Sequence, residues 1–197
     1  MSQAGTARLV YQSGCVLEPG PYTLTVAVMD RRNNQIGTKQ TPLFVPAADI
    51  KAEPFLSEVQ LWVDDREALV VAAGTEKIGL KEGAGGTQFV PLAERRMTAS
   101  QKAFLSFLVC PRAGSSASRA SPIEVRQTLA ADSGIELAEF ERKLAIIDPP
   151  DAGTGCYQVS SAVPPGRLSA GIYNFTVKVM GKPIGSPLVR QAAVAVN

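Results

Sequence analysis

The sequence predicts an all-β protein, namely an immunoglobulin-like antiparallel β-sandwich preceded by a β-hairpin remnant of an upstream β domain. Two observations predict this fold class. Short apolar segments with period-two alternation recur along the chain and are separated by turns rich in glycine and proline. In addition, one phrase occurs twice, at residues 17–29 and again at 168–180, with a constant offset of 151 positions.

Each copy of the phrase contains a glycine turn, a tyrosine two residues later and an alternating strand that starts at the tyrosine. The equivalent residues are Gly20 and Tyr22 in the first copy and Gly171 and Tyr173 in the second. In immunoglobulin-like sandwiches a tyrosine at this place forms a tyrosine corner, in which its hydroxyl bonds to the backbone just upstream. We therefore expect structural roles for all four residues; the alternative is that both tyrosines are ordinary strand aromatics.

The positions of the two copies predict the domain organisation. Residues 30–167 lie between them and suffice for a sandwich that ends in the second copy, whereas far less chain precedes the first. We therefore expect 1–48 to be the closing strands of an upstream β-sandwich domain, 49–54 to be a linker and 55–197 to form an immunoglobulin-like sandwich. A lone hairpin is marginally stable, so residues 7–45 are expected to pack on the sandwich or to pair with another copy of themselves.

Alternation and turn residues predict the individual elements in order. An Ile-Gly pair, at Ile36 and again at Ile184, follows each copy and precedes a second apolar segment. Residues 136–145 are assigned to a strand by context, although several of them favour helix, so both structures remain open. Loops are expected at 30–35, 79–87 and 112–121. Strands are expected at 7–12, 22–29, 36–45, 56–63, 68–73, 87–92, 103–110, 123–130 and 156–163, followed by the second hairpin.

The composition excludes several function classes. The chain has no histidine, which removes the commonest general base and zinc ligand, so we expect no enzyme and no cofactor. A net charge of +2 without basic clusters argues against nucleic-acid binding. No apolar segment approaches the roughly 18 residues of a membrane helix, so membrane insertion is not expected. The N-terminus lacks a signal-peptide pattern, and any export signal is expected upstream.

The chain has three cysteines, Cys15, Cys110 and Cys156, and no Cys-x-x-Cys pair, which argues against a structural zinc site. Cys110 ends one apolar segment and Cys156 opens another. A disulfide between them in an oxidising compartment would leave Cys15 unpaired. The alternative is that all three are small buried hydrophobic residues, the usual environment of free cysteine.

Other segments carry residue types found in functional sites, and each has a simpler interpretation. The acidic cluster at 64–67 has the oxygens that calcium prefers, but a solvated hairpin turn explains it. The glycines at 83–86 lack the Lys-Ser/Thr of a phosphate-binding loop. Asp148 and Asp151 flank two prolines and are interpreted as solubilising charge. Trp62, the single tryptophan, is either a core aromatic or, if exposed, a contact for a sugar or a partner.

Several phrases of the chain resemble the C-terminal tail of bacterial von Willebrand factor A-related proteins. The first copy of the repeat is similar to a hairpin that closes one β domain in that family, and Ser57-Glu-Val-Gln-Leu61 is similar to the strand that follows. Pro91-Leu-Ala-Glu-Arg-Arg96 matches the next motif, with Met97 where an aromatic is usual. The resemblance implies the C-terminal β region of a large protein that is secreted or lies in the cell envelope, without the metal-binding A domain.

These patterns predict a function that involves no catalysis. We expect a non-enzymatic structural or protein-interaction module of a larger exported protein. Its partner would be another protein, or a second copy of the chain, bound through edge strands. The alternative is a carbohydrate-binding module that uses Trp62 and nearby tyrosines, which an exposed Trp62 in a shallow groove would favour.

Overall fold

The computed structural model of the chain describes residues 8–13, 17–45, 53–64, 68–73, 89–92, 95–152, 155–163 and 165–197. The regular structure of these residues is β-strand apart from one short 3-10 turn, Ala138–Phe140, which confirms the predicted all-β class. The strands are β1 Arg8–Ser13, β2 Gly20–Asp30, β3 Gln35–Val45, β4 Phe55–Leu56, β5 Gln60–Asp64, β6 Ala68–Ala73, β7 Phe89–Pro91, β8 Arg96–Met97, β9 Ala103–Cys110, β10 Ile123–Ala131, β11 Arg142–Ile146, β12 Tyr157–Val163, β13 Gly171–Met180 and β14 Leu188–Val196.

The first large sheet has the strand order β11-β10-β13-β14-β8. Its neighbours are antiparallel, except that β14 and β8 run parallel over two residue pairs. The central triplet β10-β13-β14 has the order of the C, F and G strands of an immunoglobulin sandwich.

The second large sheet has the order β12-β9-β5-β7, and the short β4 also pairs with β9. All of these pairs are antiparallel. Placing β9 between β12 and β5 corresponds to placing strand B between strands E and A of an immunoglobulin sandwich.

Both sheets contribute side chains to one apolar core. Alternate residues of β10, β12 and β13 are buried, as the period-two sequence pattern predicts. Burying one such aliphatic side chain stabilises the fold by about 1.5–3 kcal/mol. The most deeply buried side chains of this core are Leu56, Val63, Val109, Ile123, Val125, Leu129, Val177, Val179, Ile184 and Val194.

Residues 14–49 form a separate unit whose regular structure is the antiparallel hairpin of β2 and β3. The two strands are paired along their whole length. In the connecting turn, residues 31–34, the amide of Arg32 donates to Oδ1 of Asp30 at 2.8 Å. Asn34 adopts a left-handed φ of 54°, which asparagine tolerates well.

The first strand differs from the expectation that residues 1–48 form one unit. β1 pairs in parallel with β6, from Arg8 opposite Ala68 to Ser13 opposite Ala73. Residues 1–13 accordingly group with 50–197. An open strand edge offers backbone donors and acceptors to any other strand, so the side-chain pattern of β1 did not reveal its partner.

The predicted strand at 56–63 is two strands, because β4 ends at Leu56 and β5 begins at Gln60. Between them Ser57 is held on β9: its amide donates to the carbonyl of Leu108 at 3.0 Å, and its Oγ accepts from the amide of Leu108 at 2.8 Å. The side-chain bond replaces a regular ladder and interrupts the strand.

One further expectation is corrected. Of residues 136–145, only 142–145 are strand, because the 3-10 turn precedes β11. The two Ile-Gly pairs are not equivalent: Gly37 lies within β3, opposite Val28, whereas Gly185 lies in the turn before β14 with φ 78°. The predicted loop at 79–87 and most of the predicted linker lie outside the described residues.

Candidate functional site

The two tyrosines of the repeated phrase make the same hydrogen bond. The hydroxyl of Tyr22 donates to the carbonyl oxygen of Glu18 at 2.8 Å, and that of Tyr173 donates to the carbonyl oxygen of Ser169 at 3.0 Å. In both cases the acceptor lies four residues upstream, as in a tyrosine corner. Each tyrosine therefore anchors the entry to its hairpin.

The two glycines of the phrase lie close to these rings. Gly20 and Gly171 have φ of 154° and 159°. A Cβ atom would lie 3.9 Å from Cε2 of Tyr22 at the first and 3.6 Å from Cε2 of Tyr173 at the second. The structure thus brings together each glycine and its tyrosine in both copies.

The two hairpins also share their register. Tyr22 pairs with Leu43, and Tyr173 pairs with Val194, so the partners differ by the same 151 positions as the tyrosines. The offset holds along both strands, and each residue of 20–45 has one equivalent in 171–196. Sequence comparison missed this equivalence in the return strands, because their sequences are dissimilar and only the pairing reveals it.

In β13 the face that carries Tyr173 is buried. Phe175 is 4% exposed, and Val177 and Val179 are fully covered. Across the hairpin Val194 of β14 is buried as well. These side chains belong to the core to which both large sheets contribute.

The equivalent face of the β2–β3 hairpin is exposed. Leu24 is 54%, Val26 48% and Val28 63% exposed. Leu43, which pairs with Tyr22 from β3, is 42% exposed. We name the surface formed by these four residues and the half-buried Tyr22 the hairpin face. A contiguous exposed apolar surface on a soluble protein is typical of an interaction site.

Cys110 and Cys156 form a disulfide with a Cα–Cα distance of 4.2 Å. It joins the end of β9 to the residue before β12, and both cysteines are buried. The alternative that these two are free buried thiols is therefore wrong, while Cys15 lies outside the described residues. Bonds of this kind persist in oxidising compartments.

Trp62 is buried, with 6% of its surface exposed. Its ring stacks on Phe104, with ring centroids 5.9 Å apart and planes inclined by 4°. It borders a groove of about 680 Å³ that Gln60, Leu108 and Gln158 also line. Stacking on a sugar needs an exposed ring face, so this position does not favour Trp62 as a carbohydrate contact.

The other predicted segments show structural interactions. Asp64 accepts a hydrogen bond from the amide of Lys102 at 2.7 Å; the rest of the acidic cluster and the glycines at 83–86 lie outside the described residues. The amide of Asp151 donates to the carbonyl of Cys156 at 3.0 Å. In the described ranges no three metal-ligating side chains form a group. No helix there has the length and apolarity needed to cross a membrane.

Glu141 takes part in a surface ion-pair network. Its Oε1 accepts a hydrogen bond from Nε of Arg126 at 2.9 Å and lies 3.3 Å from Nζ of Lys143. The hydrogen bond with Lys143, aided by both positive charges, holds the pKa of Glu141 below its ordinary value of 4.5. The network links β10, β11 and the residue that precedes β11.

The chain matches no protein-family model and no curated protein. The resemblance to von Willebrand factor A-related proteins therefore stays a prediction. The hairpin face is the strongest candidate for a functional surface among the described residues.

Proposed function

We propose that this chain is a non-enzymatic structural or protein-interaction module of a larger exported protein, secreted or in the cell envelope, and that the hairpin face is its interaction surface. The sandwich serves as a rigid body cross-linked by a disulfide. The hairpin supplies apolar side chains for a protein partner.

The exposure of the hairpin face carries the proposal. Leu24, Val26 and Val28 follow one another on one side of a regular strand, and each is about half exposed or more. Fully burying one such side chain from full exposure is favourable by about 1.5–3 kcal/mol, and covering its exposed part gains a corresponding fraction of this. A partner that covers all three therefore gains a favourable apolar contribution to binding.

The disulfide supports export. Structural disulfides form and persist in oxidising compartments, whereas thiols of the bacterial cytosol are kept reduced. Cys110 ends β9 and Cys156 directly precedes β12, and both are buried, so their bond is expected to stabilise the sandwich.

The interaction can be tested by site-specific photo-cross-linking of the full-length protein in the organism that makes it. A photoreactive residue at Val26 is expected to become joined to another protein surface. The same residue at Gln40, which is exposed in β3 on the opposite face of the hairpin, is the matched control. Equal cross-linking at both positions, or none at either, would contradict the proposal.

Export can be tested separately by trapping free thiols during cell lysis. We expect Cys110 and Cys156 to be protected from alkylation in the envelope or culture-medium fraction until a reductant is added. Recovery of the protein in the cytosolic fraction with both thiols free would contradict export and would leave the cross-linking result unaffected.

A further inference from the structure

The register match between the two hairpins indicates what covers the hairpin face. Of the four residues on this face of β2, Tyr22, Val26 and Val28 are identical to their equivalents in β13, and Leu24 replaces Phe175. In β13 these positions are covered by the facing sheet of the sandwich. Because the hairpin face has nearly the same side chains in the same register, it is suited to packing against the facing sheet of a β-sandwich.

A charged residue extends the match. Lys39 in β3 is equivalent to Arg190 in β14, since both pair with the valine four residues after the corner tyrosine. Nε of Arg190 lies 3.7 Å from Oε1 of Glu58, which belongs to the segment between β4 and β5. The partner of Lys39 is therefore expected to carry an acidic residue at the corresponding place.

The backbone indicates which edge of the hairpin is used. In β14 the amide of Ala195 points away from β13, toward Arg95, and alternate residues of a strand point their amides to the same side. Pro42 is equivalent to Ala193 and so removes a donor from the middle of the outer edge of β3. The outer edge of β3 is therefore poorly suited to strand pairing.

The outer edge of β2 keeps its donors. In β13 the carbonyl of Ile172 accepts from the amide of Asp132, so residue 172 and alternate residues face β10. Their equivalents beyond Pro21 are Thr23, Thr25, Ala27 and Met29, each with a backbone amide. Within the described residues β2 pairs only with β3, so this edge is open.

We infer that the hairpin face binds a β-sandwich domain that lacks its own last two strands. One strand of that domain pairs antiparallel with the outer edge of β2, as β10 pairs with β13. Its facing sheet covers Tyr22, Leu24, Val26 and Val28, and an acidic residue meets Lys39. The inference rests on the proposed function and names the partner of the same surface.

The fit can be tested within this chain by giving β13 the sequence of β2. Four substitutions do so: Ile172→Pro, Asn174→Thr, Phe175→Leu and Lys178→Ala. We expect this aligned variant to unfold cooperatively, with a Tm within about 4 °C of that of Phe175→Leu alone. Thermal unfolding followed by circular dichroism measures both.

The matched control places residues 21–30 where 171–180 stand, which slips the graft by one residue. A slip of one turns every inward side chain outward, so this variant is expected to lose cooperative unfolding. If the aligned variant unfolds while Phe175→Leu folds, the side chains of β2 do not fit the place of β13 in a sandwich, and the inference is overturned. Equal stability of the aligned and slipped variants would overturn it too, since that place would then not discriminate between the two registers.

Two further results separate this partner from other occupants. The unaltered chain is expected to sediment as a monomer, with fast amide exchange at Thr23, Thr25 and Ala27. A dimer that protects these amides and is dissociated by Thr25→Pro would show that the occupant is a second copy. In the cross-linking at Val26, attachment to a β-sandwich domain that lacks its last two strands supports the inference. Attachment to any other protein overturns it while leaving the proposed function intact.

Discussion

The hydroxyl of Tyr173 donates a hydrogen bond to the carbonyl oxygen of Ser169 at 3.0 Å and so ties the start of β13 to the connection that precedes it. The ring of Tyr173 is 8% exposed and belongs to the core. The bond therefore combines the two roles of a buried tyrosine, apolar packing and one satisfied hydroxyl.

Replacing Tyr173 by phenylalanine is expected to remove this bond and leave the packing in place. We expect a loss of about 1 kcal/mol in the free energy of unfolding, the usual net value of such a bond. Tyr22→Phe is the matched control, because its hydroxyl makes the same bond at an exposed site and should cost less. Equilibrium urea unfolding measures both, and an equal or larger loss at Tyr22 would contradict this account.

The disulfide is expected to contribute strongly to the stability of the sandwich. Cys110 and Cys156 are separated by 46 positions, and closing a loop of that length restricts the unfolded chain by about 4 kcal/mol in the chain-entropy model. Cys110→Ala combined with Cys156→Ala should lower the free energy of unfolding by an amount of that order.

A reducing agent provides the control for this prediction. It should destabilise the unaltered protein and leave the double variant unchanged, as measured by urea unfolding with and without the reductant. A double variant as stable as the oxidised protein would show that the cross-link contributes little.

Gly181 lies where the turn after β13 approaches the backbone before β10. Its φ is 130°, and a Cβ there would lie 2.5 Å from the carbonyl oxygen of Pro122. Gly181→Ala must therefore displace backbone, and we expect it to cost more than about 2 kcal/mol. Gly37→Ala is the control, because nothing lies within 4 Å of its Cβ position. Thermal unfolding should show a large decrease in Tm for the first and almost none for the second.

The titration of Glu141 is expected to follow its ion pairs. Because its folded-state pKa is lowered, the interaction stabilises the protein above the ordinary pKa of 4.5 and is lost as the pH falls through the lowered value. Lys143→Gln should raise the pKa most, since the hydrogen bond with Lys143 is the largest cause, and Arg126→Gln should raise it less. Carboxyl chemical shifts followed by NMR measure this, and an unchanged midpoint in Lys143→Gln would contradict it.

Strands with a strong local pattern could be predicted with their bounds. The apolar segment Ala103–Cys110 forms β9 over the predicted residues, because its composition specifies a strand buried in a sheet. Residues 136–145 could not be predicted in the same way. Their local preferences compete, and β11 is a strand because it pairs antiparallel with β10.

The residues of the candidate site likewise divide into those that the sequence predicted and those that it could not predict. The repeated phrase identified Tyr22, Tyr173 and their glycines, because a corner and its turn are made within a few neighbouring residues. The environment of Trp62 could not be predicted, since its burial depends on Phe104 from another strand.

The sequence by itself determined that residues 22–29 and 173–180 form alternating strands, because period-two patterning and turn chemistry act over short distances. Only the tertiary structure decided that Val177 is buried while Val26 is exposed. The two segments carry the same pattern, and burial depends on which other strands lie against them. The repeat therefore specifies the hairpin twice, and the surrounding strands decide which copy is buried.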